Sequence, residues 1–286
     1  MPVRKEAPSR VRPVLRIVRG QAASDGAGVR LNRVIGGTSL PGLDPFLLLD
    51  EFRSDDATDY MAGFPDHPHR GFETVTYMLA GRMRHRDNQG NSGLLTPGSV
   101  QWMTAGRGIV HSEMPEQENG LMQGFQLWVN LPARDKMTAP RYQDIAPARI
   151  PEVDAGQGAR VRVIAGRYGG VEGPVQAIAT EPLYLDAHLA AGAQLEAAVP
   201  AGHNAFAYVY QGIARVGDEA KEVARGDLAV LGEGDQVVVT AGDAPARLIL
   251  VAGRPLDEPV ARYGPFVMNT REQLAQAVQD YNSGKF

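Results

Sequence analysis

At 286 residues the chain is long enough for two domains of ordinary size, and its 22% charged and 43% hydrophobic residues are those of a soluble globular protein. A formal charge of −4 offers no general attraction to a phosphate backbone, so direct nucleic-acid binding is not expected. The absence of cysteine excludes disulfides, thiolate metal sites and cysteine nucleophiles, and no apolar run of about 18 residues is present to span a bilayer.

The first residues lack the apolar core of a signal peptide, so a cytoplasmic protein with no membrane partner is expected, taken here as a monomer. The 33 glycines and 20 prolines place many turns between short strands and argue against a helical bundle. Near the N-terminus, Arg4, Lys5, Arg10, Arg12, Arg16 and Arg19 interleave with Val11, Val14, Leu15, Ile17 and Val18. That pattern predicts an edge strand protected by solvated arginines. Pro41-Gly42 marks a turn ahead of the buried run Phe46 to Leu49. Further strands are predicted over Thr74 to Leu79, around Gln101-Trp102-Met103 and over Phe125 to Val129, with Thr96-Pro97-Gly98 as a turn.

Prolines 132, 140, 147 and 151 mark a linker or crossover over 132–151. Strand-like runs then resume at 161–164, 183–185, 205–210, 228–231, 236–240 and 247–251. One helix is predicted over about 270–282, capped by Asn269 or Thr270, with Leu274, Ala277, Val278 and Tyr281 as its apolar stripe. The halves resemble each other: Tyr77 to Gly81 matches Tyr208 to Gly212, and Pro97-Gly98 matches Arg225-Gly226. A duplicated barrel is the simplest explanation, giving domains 1–135 and 136–286. Anchored on those glycines, His67 and His69 fall opposite Ala198 and Pro200, and His111 and Glu113 opposite Val239 and Ala241, so the second copy lacks every donor.

His67-Pro68-His69 and His111-Ser112-Glu113 carry the chemistry. Alternate residues of a strand share one face, so each pair can aim two donors at one point and two facing strands supply four. An N/O ligand set suits iron, zinc, manganese, nickel, copper or cobalt, and leaves positions open for water, substrate or dioxygen. If the strand after His69 runs unbroken, Glu73 also faces inward and is a rival to Glu113, or else an acceptor that holds a neighbouring side chain. His85 sits among Arg82, Arg84, Arg86 and Asp87 and reads as a solvent-exposed histidine of a charged hairpin, the alternative being a pocket residue or one that supports a metal ligand. Phe64, Trp102, Met103 and Phe125 are candidates for either core or cavity lining. His188 and His203 have no partner at metal spacing.

The stretches Pro65 to Val75 and Gln101 to Pro115 resemble the signature of the pirin family in the cupin superfamily, with weaker similarity over the second half and over Gly264 to Thr270. The resemblance implies an all-β fold of two jelly-roll-like cupin barrels face to face. It implies one mononuclear Fe(II) in the N-terminal barrel, ligated by His67, His69, His111 and Glu113, and a metal-free C-terminal barrel. It also implies a quercetinase-type dioxygenase that cleaves a flavonol with O2 and releases carbon monoxide, with Glu113 as base. The alternative is a non-enzymatic, iron-dependent regulator acting on a protein partner. A structural zinc barrel is a third reading, weakened because closed zinc sites usually recruit cysteine.

Overall fold

The computed structural model describes residues 9–286 apart from Glu118, so Arg4 and Lys5 lie outside the described residues. Among the described residues are 26 strands and one α-helix, Arg271–Asn282. The chain forms two compact units that are not contiguous halves. One comprises Gly20–Ile150, Pro174–Glu181 and Pro255–Phe286; the other comprises the N-terminal residues through Arg19, Pro151–Gly173 and Pro182–Arg254.

Each unit has a seven-stranded and a four-stranded antiparallel sheet. In the first, the larger sheet runs Arg141–Ile145, Val100–Thr104, Phe72–Ala80, Met122–Asn130, Phe46–Ser54, Val29–Ile35, Gln21–Asp25. Its smaller sheet runs Phe64–His69, Ile109–Pro115, Met83–Asp87, Ser92–Leu95. The second unit repeats that order strand for strand: Val14–Arg19, Asp227–Leu231, Asn204–Gln211, Ala246–Gly253, Leu183–Leu189, Ala159–Ala165, Glu152–Gly156, and Gln194–Ala198, Gln236–Ala241, Ile213–Val216, Lys221–Ala224. This is the duplication read from the glycine anchors, now visible as topology. It also gives the segment over 132–151 a structural part, because Arg141–Ile145 pairs with Val100–Thr104 and closes the edge of the first large sheet.

The N-terminal strand Val14–Arg19 is an edge strand, paired among the described residues only to Asp227–Leu231. Arg16 and Arg19 are exposed as expected, but Arg12 is not a solvated arginine. It is 2% exposed and donates to the carbonyl oxygens of His203, Gly232 and Pro200. A charge is tolerated there because carbonyl dipoles replace its lost water.

Inside the second unit, alternate strand positions supply a wall of Val, Leu and Ala, among them Val161, Val163, Leu185, Leu195, Val237, Val239 and Leu250. Such side chains gain about 1.5–3 kcal/mol each on full burial and fill the barrel. The alignment of the halves is off by one residue on one strand. Ala198 and Pro200 are exposed, and the inward positions there are Leu195, Ala197 and Val199, whereas Val239 and Ala241 do point inward.

The C-terminal helix begins where expected. Thr270 caps it in a reciprocal box, its hydroxyl accepting from Gln273 N while Gln273 Oε1 accepts from Thr270 N. Only Ala277 of the stripe is fully buried; Tyr281 is an exposed residue whose ring centroid lies 6.1 Å from that of Phe266, on the small hairpin Ala261–Tyr263/Phe266–Met268.

Candidate metal centre

The strands Phe64–His69 and Ile109–Pro115 pair antiparallel, with His67 opposite His111 and Ile109 opposite His69. Three imidazoles therefore meet, their ligand atoms within 4.8 Å of one another. Ring centroids are 4.7 Å apart for His67 and His69, 4.4 Å for His67 and His111, and 5.0 Å for His69 and His111. His67 Nδ1 lies 2.8 Å from the Pro65 carbonyl, which can only accept, so this nitrogen carries the proton and Nε2 presents a lone pair. That Nε2 is 3.0 Å from His69 Nε2.

Burial, followed by the neighbouring histidines, pushes the pKa of His69 and of His111 well below the usual imidazole range. Both are neutral at pH 7. His69 Nδ1 and both ring nitrogens of His111 are buried without a hydrogen-bond partner. The Pro265 carbonyl lies beside the His69 ring without forming a hydrogen bond of good geometry. Converging imidazoles, with buried nitrogens that lack a hydrogen-bond partner, fit a shared cation.

Glu113 faces the same space but stands outside the trio. A register shift between His111 and Glu113 sets it opposite Phe64, and its Oε1 accepts from Thr76 Oγ1 at 2.8 Å. Thr76 Oγ1 is also 2.8 Å from Gln126 Oε1. One hydroxyl proton cannot serve both oxygens. With the Gln126 amide turned so that its nitrogen donates to Thr76, all three groups are satisfied.

Glu73 is removed from the site by the backbone. The strand breaks at Arg70-Gly71, where Gly71 has φ of +88° and an added Cβ would strike the Val267 carbonyl. The next strand, Phe72–Ala80, thus starts in the opposite phase: Thr76 reaches Glu113, while Glu73 turns the other way and accepts from Thr104 Oγ1 at 2.6 Å. Burial raises the Glu73 carboxyl pKa.

His85 corrects the expectation of an exposed hairpin residue, being 1% exposed. It lies opposite Glu113, its Nε2 is 3.1 Å from Asp144 Oδ2, and its ring stacks on Tyr142 at 5.3 Å. The alternation was there to be read: Met83 and His85 point in, while Arg84 and Arg86 point out. His188 lies beside Asp186 and Tyr210 in the other unit, outside this centre.

His67 and His69 open on a cavity of about 550 Å³, whose wall also includes Glu113, Gln126 and Trp128 together with the apolar side chains of Leu31, Leu48, Phe52 and Phe64. Of the four candidate lining residues only Phe64 is there. Phe125 and Trp102 share the opposite sheet face with Tyr77 and Val75, and Met103 packs on Ala105 and Ile109. Sequence reading missed Trp128, which shares a face of Met122–Asn130 with Gln126 and so borders the cavity, whereas Phe125, of opposite parity, lies on the other face. The Trp128 ring lies 5.3 Å from His69 and 4.4 Å from Phe72.

Two barrels of one strand order, one of them carrying three converging imidazoles at the edge of a cavity, define a two-barrel cupin with a site suited to a single cation. The Pirin family model matches residues 28–129 and the Pirin C-terminal cupin domain matches residues 184–286. The chain belongs to the pirin family. It is 54% identical to a pirin-like protein of Caulobacter vibrioides over 277 residues, covering 96% of this chain and 99% of that one. It is 52% identical to a Pseudomonas aeruginosa protein provisionally named a quercetin 2,3-dioxygenase, over 96% of this chain and 98% of the other. The crystal structure of quercetin 2,3-dioxygenase from Acinetobacter baumannii superposes with a TM-score of 0.89 at 34% identity, covering 96% of this chain and 98% of that one.

Proposed function

We propose that His67, His69, His111 and Glu113 hold one divalent transition metal, Fe(II), and that this centre cleaves flavonols with dioxygen. The observation that carries the reading is the meeting of three imidazoles, two of which, His67 and His69, border a cavity of about 550 Å³, a size that admits a three-ring ligand. The name and the structure of the related quercetin 2,3-dioxygenases support the choice of substrate.

A bound Fe(II) would supply Lewis acidity toward the flavonol 3-hydroxyl and open coordination positions. The protein does the rest. Leu31, Leu48, Phe52 and Trp128 hold the planar rings and keep water out. Glu113 accepts the proton of the 3-hydroxyl, and Thr76, donating to the far side of that carboxylate, fixes its orientation. The resulting enolate is the electron-rich partner for dioxygen. Two carbon–carbon bonds of the central ring break, both oxygen atoms of O2 enter the ester product, and the carbon bearing the former 3-hydroxyl leaves with its own oxygen as carbon monoxide.

Iron(II)-loaded protein incubated with quercetin in air is expected to lose flavonol absorbance and release one carbon monoxide per flavonol consumed. Absence of turnover, combined with capture of a protein partner that depends on iron redox state, would replace this reading with that of a regulator.

A further inference from the structure

Arg262, on the hairpin strand Ala261–Tyr263, stands at the exposed rim of the cavity. Its Cζ lies 4.8 Å over the Trp128 ring, and Trp128 in turn lies 5.3 Å from His69. The guanidinium is thus one aromatic ring removed from the imidazole cluster.

Among the described residues no carboxylate is paired with Arg262. Two carboxylates, Asp50 and Asp25, line the same cavity, yet both are taken by Arg33: Nε and Nη2 clasp Asp50 at 2.9 and 2.7 Å, and Nη2 also reaches Asp25 at 2.7 Å. Arg262 makes a single long hydrogen bond, Nη1 to the Leu47 carbonyl at 3.3 Å, and among the described residues no carboxylate lies within ion-pair distance of it. A guanidinium carries five donors, so four remain for a ligand. It also lies over the face of an indole beside an apolar wall. Its place over the Trp128 ring restricts its motion and lowers the entropy lost when an anionic oxygen arrives.

We infer that Arg262 is a specificity-determining residue, pairing with an acidic oxygen, phenolate or carboxylate, on an aromatic ligand whose ring lies against Trp128. The inference rests on reading the cavity as the substrate site. For a flavonol it assigns the acidic ring hydroxyl nearest Trp128 to Arg262. A neutral aromatic of equal size gains the stacking but not the pairing.

The test separates charge recognition from turnover. Full-length protein is titrated with 2-naphthoate and with 2-naphthamide, equal in ring and different in charge, following quenching of Trp128 fluorescence. The only other tryptophan, Trp102, is 1% exposed and absent from the cavity wall. Wild type should prefer the naphthoate. Arg262→Gln should weaken naphthoate about tenfold or more while leaving naphthamide within about twofold, and Arg262→Lys should restore part of the loss. Circular dichroism checks folding, which a change at an exposed rim residue is expected to spare. Equal effects on both ligands, no effect, or no naphthoate binding to wild type would each overturn the inference. Quercetin turnover is followed in parallel: charge-selective binding without carbon monoxide release would fail the dioxygenase reading alone, and carbon monoxide release without charge selectivity would fail Arg262 alone.

Discussion

At the residue scale the centre depends on which nitrogen carries a proton and which way a carboxylate turns. The Pro65 carbonyl holds the proton on His67 Nδ1 and so delivers Nε2 to the cluster, in the way an acceptor behind a ligating histidine sets its tautomer. His69→Ala removes one nitrogen from a three-nitrogen cluster. It is expected to lower metal content, measured by elemental analysis, by at least about tenfold while far-UV circular dichroism stays unchanged. Global unfolding would show that the ion is structural. Glu113→Gln keeps shape and removes the basic oxygen. If the carboxylate is the base, turnover should fall by about 10² to 10⁴ with metal content reduced far less, and equal losses would make it a ligand alone. The three imidazoles were legible because two short motifs put their side chains on facing strands. The competition between Glu73 and Glu113 was not, because it turns on Gly71: a single left-handed residue reverses the phase of everything after it, and period-two counting cannot see that.

At the element scale, the segment after Pro255 does more than end the chain. The Phe266–Met268 strand runs beside Arg70-Gly71, with Val267 N donating to the Arg70 carbonyl at 3.0 Å, and the same hairpin brings Arg262 and Pro265 to the cavity. The buried Lys136 ammonium ties these pieces together, donating to the carbonyls of Gly71 and Val267 and to Asn130 Oδ1 at 2.7–3.0 Å. Arg70 then reaches the helix, pairing with Asp280 at 2.9 Å and lying 4.4 Å over the ring of Phe286. Sequence periodicity found this helix but not its attachment, since neither Arg70 nor Lys136 differs in sequence from a solvated cation. The Arg70 hydrogen bond, followed by those from Gln276 and Lys285, holds the Asp280 carboxyl down at about 2, from an ordinary 3.8. A depressed carboxyl pKa contributes stability that is complete above its unfolded value and disappears as pH falls through its folded value. Asp280→Asn should therefore weaken amide-exchange protection across Arg271–Asn282 at pH 6, and its difference from wild type should shrink between about pH 4 and pH 2. A difference that stays constant over that window would show that the carboxylate charge is not what holds the helix. Gly71→Ala tests the other end of the same attachment. A Cβ at φ of +88° facing the Val267 carbonyl is expected to cost about 1–3 kcal/mol in denaturant unfolding.

At the scale of the whole molecule, one architecture occurs twice with different interiors. The glycine anchors and strand spacing made the duplication legible, down to a one-residue slip at Ala198. What spacing could not show is how each interior is occupied. In the second unit, residues such as Leu195, Ala197, Val237 and Val239 close the lumen with aliphatic side chains, whereas in the first His67, His69 and Glu113 border open space. Among the described residues only His67, His69 and His111 form a cluster able to hold an ion. Metal titration should thus saturate at one ion per chain, and a second equivalent would expose a site built elsewhere. Both units also have hydrophobic cores made without any ligand atom, the first around Val29, Phe52, Met78 and Met122. Chelation should accordingly leave the strand signal intact and lower Tm only by the linkage of a lost ligand, on the order of 5–10 °C for an ion held at a thousand times its Kd. Loss of the cooperative transition on chelation would mean that the imidazoles hold the barrel together, and the claim that they are positioned by a scaffold that folds without the ion would fail with it.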